Sequence, residues 1–199
     1  MTLRFSLPVI AGLALSLSGC ALLGGGPAAL DTFELTTRAT AATGPQRART
    51  QILIAEPTAL RSLDGQEIVI RTSPGSIEYL SGAQWSDRLP RVVQVRLSEA
   101  FQASGRFAGV GLPGQGLAID YQIVTEIRSF GVRVDGGPRA EVSFFVKVLN
   151  DRNGSVRASR LFTAQAPVSG TGNAAYAAAL DQAFAQAIGE LVPWAASAM

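Results

Sequence analysis

The chain has 199 residues, 47% of them apolar, with 17 basic residues against 15 acidic ones and a formal net charge of +2. With no histidine and only one cysteine, Cys20, it excludes Ser-His-Asp and Cys-His catalysis, histidine metal sites, a structural zinc centre and an internal disulfide. All the basic residues except Lys147 are arginines, and they are scattered, so the basic stripe expected of a nucleic-acid binder is missing.

The chain opens as a leader. Arg4 is the one charged side chain before an uncharged, mostly apolar run over 5–19. That run is short for a membrane-spanning helix of about 20 residues but suits the h-region of a secretory signal. It ends in Leu17-Ser18-Gly19-Cys20, which resembles the lipobox of bacterial lipoproteins. In such a motif the small residues let the chain lie extended in a peptidase groove, and the thiol takes a diacylglyceryl group. Cleavage then leaves Cys20 as the first residue, with a new amine for a further acyl chain. Two or more acyl chains hold a protein stably on a bilayer, where one is marginal. Gly24, Gly25, Gly26 and Pro27 follow and read as a flexible tether. The expected organisation is a lipoprotein signal peptide over 1–19, a lipidated Cys20 and tether over 20–29, and one periplasmic domain over 30–199. No later apolar stretch approaches spanning length.

Within the domain, periodicity orders the elements. Strands are expected over 32–36 and 51–55, separated by a polar, arginine-bearing loop near 39–50, with Pro57 ending the second. Two short strands over 67–72 and 76–80 meet at the turn Ser73-Pro74-Gly75. A helix is predicted over 86–104, where Leu89, Val92, Val93, Leu97, Ala100 and Phe101 recur at steps of three and four. Pro90 is tolerable there because it falls in the first turn, and Gly105 stops the helix.

Residues 109–114 fit G-x-G-x-x-G, with Asp135 in the place of the distal acid. A dinucleotide site needs a strand before that segment and a helix after it, whereas here the order is reversed, so a glycine-rich connecting loop is expected. From Leu117 the period becomes two: Leu117, Ile119, Tyr121, Ile123 and Ile127 share a face, and the phase slips after Ser129 in favour of Phe130, Val132 and Val134. Such a slip predicts a bulge or bend in a long strand. Strands over 141–149, with Val142, Phe144, Val146 and Val148 on one face, and over 155–166 complete an antiparallel meander. The turn signal Asp151-Arg152-Asn153-Gly154 joins them, although Asn153-Gly154-Ser155 also matches a glycosylation sequon. Asn173 is placed to cap a final helix whose core stripe includes Tyr176, Leu180, Phe184, Ile188 and Leu191, with Pro193 closing it. The fold class is therefore α+β, a mostly antiparallel sheet with two amphipathic helices packed on one face.

The lipobox, the strand with Gln51-Ile52-Leu53-Ile54, Tyr79-Leu80 followed by Gln84-Trp85-Ser86-Asp87 and a proline-led helix, and the closing strands and helix together resemble one family. These are the ABC-type transport auxiliary lipoproteins, components of MCE-type intermembrane lipid transport systems such as the paraquat-inducible one. The resemblance covers most of the chain beyond Cys20 and is most specific over 79–97. It implies a non-enzymatic protein without cofactors that docks an MCE-domain protein forming a lipid conduit, while a permease and an ATPase in the inner membrane supply the energy. Ala21 stands where an aspartate signals inner-membrane retention in enteric bacteria, which favours the outer membrane. A lipid-carrying chaperone with an oversized apolar cavity and a structural or assembly envelope lipoprotein are the alternatives, and self-association into a homo-oligomer stays open. The candidate partner contact is Trp85 with Arg88 and Arg91 about one turn away, tryptophan and arginine being enriched at interface hot spots. The competing reading of Trp85 is that it caps the core.

Overall fold

The computed structural model describes residues 29–36 and 44–199; the expected signal peptide, Cys20 and all of the tether except its last residue lie outside the described residues. In chain order the elements are β1 (Asp31–Phe33), β2 (Arg47–Ile54), β3 (Thr58–Ala59), β4 (Glu67–Ser73), β5 (Ser76–Trp85), α1 (Leu89–Ala103), β6 (Phe107–Gly111), β7 (Tyr121–Arg133), β8 (Arg139–Asn150), β9 (Val156–Pro167) and α2 (Asn173–Ala198). A single 3-10 turn, Arg61–Leu63, precedes β4.

The 13-residue strand β7 is the spine. One of its edges is antiparallel to β8 along its whole length, and β8 in turn pairs with β9. Its other edge is shared end to end by three strands, all parallel to it: β2 opposite 121–123, β3 opposite 126–127 and β4 opposite 131–133. Outside these, β6 adds parallel to β2, β5 closes a hairpin on β4, and β1 lies parallel to β5. The expected antiparallel character thus holds for the long β7-β8-β9 meander and the β4-β5 hairpin. The other five of the eight pairings are parallel, and the sheet is mixed.

The phase slip is found in β7, slightly earlier than predicted, as a bulge between Ile127 and Ser129. Before it Ile123, Thr125 and Ile127 are buried facing Val148, Val146 and Phe144; after it Phe130 and Val132 take over facing Val142 and Ala140. The extra residue keeps an apolar side chain inward on both halves of a strand that one strict alternation would have turned outward. Two details depart from the period-two reading. β7 begins at Tyr121, so Leu117 lies outside the strand and is 42% exposed. The arginine-bearing stretch is not all loop either, since Arg47 and Arg49 belong to β2.

The glycine segment is likewise half strand: Phe107–Gly111 forms β6 and only 112–120 is the connection. At Gly111 the Leu117 side chain lies over the backbone, with Cδ1 2.5 Å from where a Cβ would stand. At Gly131 in β7 a Cβ would meet the Val69 carbonyl oxygen at 2.7 Å, so β4 and β7 approach more closely there than any side chain allows.

Both helices cover one face. In α1 every expected apolar position is buried, but the helix starts at Leu89, because the chain bends at 86–87 and Arg88 enters with ψ 131°. Its first turn is pinned by Leu89 N–H donating to the Gly65 carbonyl at 2.8 Å, and Gln94 Nε2 reaches the Ile54 carbonyl at 3.0 Å. In α2 Leu180, Phe184 and Ile188 are fully buried as expected, with the Phe184 ring 6.2 Å from Phe130 and 6.0 Å from Phe144.

Its ends differ from expectation. Asn173 is the first helical residue rather than the cap, and its Nδ2 donates to the Ser81 carbonyl at 3.2 Å. Pro193 does not close the helix, which continues to Ala198 with Ala195 and Ala196 buried and the Trp194 ring 5.2 Å from Phe162. Burial of that last turn outweighs the backbone hydrogen bond that proline removes. Before α2 and across the sheet, Leu35 is fully buried, and Thr36 donates to both oxygens of Asp181 on α2, from its N–H at 2.9 Å and its hydroxyl at 2.7 Å.

Two expectations follow for stability. Phe184→Ala removes a ring held by two other rings and lowers stability by about 3–5 kcal/mol, which the urea midpoint of the purified protein reads out. The second concerns Asp120, which accepts from Gln51 N–H at 3.0 Å and Arg152 Nη2 at 2.7 Å. The first of these contacts chiefly holds its carboxyl below the ordinary 3.8. A depressed carboxylate contributes stability above its unfolded value of about 3.9, and loses it as pH falls through the folded value. The urea-midpoint difference between wild type and Asp120→Asn should therefore be constant from about pH 7 to pH 5 and shrink below about pH 4.

Candidate functional site

The three residues singled out for a partner contact are delivered by the end of β5 and the start of α1. Gly82, at φ +73°, bends β5 near its end, and beyond it Ala83 and Trp85 point into the core. Trp85 is 1% exposed, its backbone N–H donates to the Gln66 carbonyl at 2.7 Å, and its ring meets Phe130 edge-on at 5.7 Å. The expectation that Trp85 forms part of an exposed contact is thus corrected: the strand runs on to Trp85 instead of ending in a loop at Leu80, and the indole caps the Phe130-Phe144-Phe184 cluster.

Arg88 and Arg91 are at the surface, and the structure brings them together at the entry to α1. Arg88 is held by two carboxylates: its Nε and Nη2 engage Asp64, the Nε at 3.1 Å, and Nη1 donates to Glu56 Oε1 at 3.2 Å. The Asp64 hydrogen bond, and then its charge, raise the Arg88 pKa further above its ordinary value. Arg91 is the freer of the two, with a 61% exposed side chain whose Nε lies 3.5 Å from Asp87 Oδ2.

Beyond Arg91 a shallow groove of about 150 Å³ runs along α1, lined by Glu34, Asp87, Arg91, Val92, Val95 and Arg96. Arg96 bridges it, reaching Glu99 at 2.7 Å and Glu34 at 3.4 Å, and Val95 is 39% exposed on its floor. The carboxylates that complete this surface, Glu34, Glu56 and Asp64, come from outside the 79–97 segment and had no local signal in the sequence. Each lies 24 or more positions from the arginine it meets.

Chemically, this is a surface of exposed, paired charges. Its carboxylates are each paired with an arginine. Exposed ion pairs of this kind add little to stability, and a partner surface can exchange them at small cost. Between the sheet and the helices, the Trp85, Phe130, Phe144 and Phe184 rings lie 5.7–6.3 Å apart, at the spacing of rings in mutual contact. Cys20 falls outside the described residues.

The model of the family described as the ABC-type transport auxiliary lipoprotein component matches residues 33–192. A protein of Bradyrhizobium diazoefficiens, the uncharacterized protein bll6063, is 33% identical over 175 residues, covering 86% of this chain and 46% of that protein. The chain therefore spans about half the length of this relative. Among solved structures, protein XCC0632 from Xanthomonas campestris is similar with a TM-score of 0.77 at 31% identity, over 84% of this chain and 95% of that one. A further uncharacterized protein shares the fold, with a TM-score of 0.64 at 18% identity, over 82% and 97% of the two chains.

Burial separates the roles of the candidate residues. Trp85→Ala should lower stability by about 3–5 kcal/mol, whereas Arg91→Ala should change it by no more than about 0.5 kcal/mol. Thermal and urea melts of the two variants side by side check this.

Proposed function

The chain belongs to the ABC-type transport auxiliary lipoprotein family, and on that premise we propose that it is the docking component of an MCE-type system moving lipids between the inner and outer membranes. The observation that carries the reading is the extent of the family match, which takes in the whole sheet apart from two residues of β1, and α2 up to Val192. A lipoprotein of a transport system belongs to the cell envelope. The anchor is Cys20, at the end of the leader-like run over 5–19, and Ala21 behind it favours the outer membrane. Residues 20–29 act as the tether and 30–199 as the periplasmic domain. An MCE-domain protein is the partner, with permease and ATPase supplying the energy from the inner membrane.

The packing of the domain favours docking over lipid carriage. A carrier needs an apolar space that its own side chains leave open, while here aromatic rings from β5, β7, β8 and α2 meet between the sheet and α2. The contact is assigned to Arg88 and Arg91 with the α1 groove, since arginines whose charges are already oriented by carboxylates lose little side-chain freedom on binding. Catalysis plays no part in this reading, in keeping with the auxiliary role of the family.

The test is crosslinking in native membranes, with the captured proteins identified. Wild type should capture an MCE-domain protein, and Arg91→Glu should lower that capture several-fold per folded molecule with the melting temperature unchanged. Cys20→Ala should lose incorporation of a fatty-acid analogue and remain unprocessed. Capture of only the chain itself or of unrelated envelope proteins would overturn the docking role, and label retained by Cys20→Ala would overturn the anchor.

A further inference from the structure

The sheet carries an arginine row that the docking reading does not use. Arg71 on β4 lies directly opposite Arg133 on β7, and Arg133 directly opposite Arg139 on β8. Residues in register across neighbouring strands share a face, here the one turned away from the helices, because Ile70, Val132 and Ala140 beside them point into the core. Neighbouring strands are about 4.8 Å apart, so three guanidinium groups stem from backbone positions within roughly 10 Å. Like charges in direct cross-strand register are destabilising unless something offsets them.

The chain itself offsets only part of this charge. Asp135, in the turn after β7, accepts from Arg133 Nε at 3.2 Å and Nη2 at 2.8 Å. Glu141 sits one row further in, accepts from Gln165 at 3.3 Å and also acts on Arg133 by its charge, while the charge of Arg139 acts on Asp135. Among the described residues Arg71 and Arg139 form no ion pair, and Arg71 Nε is shielded from solvent with no hydrogen-bond partner. At the end of the row, on the same face, Ile77 pairs with Arg71 and is 40% exposed, and Tyr79 beside it is 50% exposed.

The row's position in the fold indicates what it meets. It is the last row before two turns, 73–76 between β4 and β5 and 134–138 between β7 and β8. β1 is parallel to β5, with Asp31 opposite Ala83 and Phe33 opposite Trp85, so the chain enters β1 from this same end. From Ala83 back to Ile77 is roughly 20 Å along β5, and from Cys20 to Asp31 the chain can extend at most roughly 40 Å. An anchor at Cys20 can therefore lie level with the arginine row.

We propose that the row Arg71-Arg133-Arg139, with Ile77 and Tyr79 at its shoulder, binds the phosphate groups of anionic lipids at the membrane surface that holds the anchor, seating the domain with its two turns toward the bilayer. The proposal rests on the lipoprotein reading for the anchor. Arginine forks match phosphate oxygens in pairs, and the two exposed apolar side chains fit the headgroup boundary. The domain is thus oriented on its membrane, with the entry to α1 left to the partner.

The mature protein, purified from membranes, is reconstituted on vesicles of phosphatidylcholine alone and on vesicles containing phosphatidylglycerol. Flotation on phosphatidylcholine alone reports the anchor, and hydrogen exchange at 73–76 and 134–138 reports the arginine row, so the two readings fail separately. Both turns should gain protection only with phosphatidylglycerol, and lose it in 0.5 M salt. Arg139→Gln, and Arg71→Gln with Arg139→Gln, should each lower that protection, about fivefold per charge removed. Equal protection on the two lipids, or protection that survives in both variants, would overturn the proposal. Protection by inorganic phosphate on phosphatidylcholine vesicles would make a soluble phosphate the ligand. Loss of MCE-protein capture in these variants, with the lipid dependence intact, would make the row a protein contact. Either result would also overturn it.

Discussion

The structure depends on how the hydrogen-bonding edges of β7 are divided. A strand has two edges, and each backbone N–H and C=O on a buried edge must find a partner. β7 gives one edge entirely to β8 and divides the other among β2, β3 and β4. Elements far apart in the chain are thereby set in a fixed order along one line. β2 brings β6 with it and β4 brings β5, so the positions of Trp85 and of the entry to α1 are set by where β4 meets β7. The absence of a side chain at Gly131 lets β4 come that close.

The bulge in β7 makes this arrangement compatible with one core. With a strict alternation, the end near β2 and the end near β4 would bury opposite faces. The extra residue after Ile127 restores a common face, and Phe130 becomes the ring on which Trp85, Phe144 and Phe184 converge. A packed interior and a surface of paired charges are then consequences of the same register. The face toward the helices holds the aromatic cluster, while the helix entry carries the paired charges.

The elements governed by local periodicity were legible in the sequence. The stripes of α1 and α2, the hairpin at Ser73-Pro74-Gly75 and the slip near Ser129 each repeat a physical period within a few residues. Strand direction was not legible, because alternation tells which face a side chain takes and not which strand lies beside it. For that reason the parallel pairings of β1, β2, β3 and β4 could not be read, and neither could the row Arg71-Arg133-Arg139, whose members are 62 and 6 positions apart in the chain (133−71 and 139−133). Trp85 was ambiguous for a related reason. Its neighbours Ser81-Gly82-Ala83 look like loop, and only pairing with β1, and with β4 at Gln84, shows that the strand runs on. Pro193 misled because burial of the turn beyond it, a tertiary effect, overrides a local rule.

The way the chain enters the domain has a mechanical consequence. β1 is the first described element after the amino-terminal segment, and it meets β5 through only three paired residues. A pull arriving from that side runs along the strand axis, perpendicular to the hydrogen bonds, so those bonds are loaded together in shear and cannot be opened one at a time. Behind them, the buried Leu35 and the Thr36-Asp181 clasp form a second hold, on α2. A pull applied at this end therefore meets a short, stiff coupling that shares the load between β5 and α2.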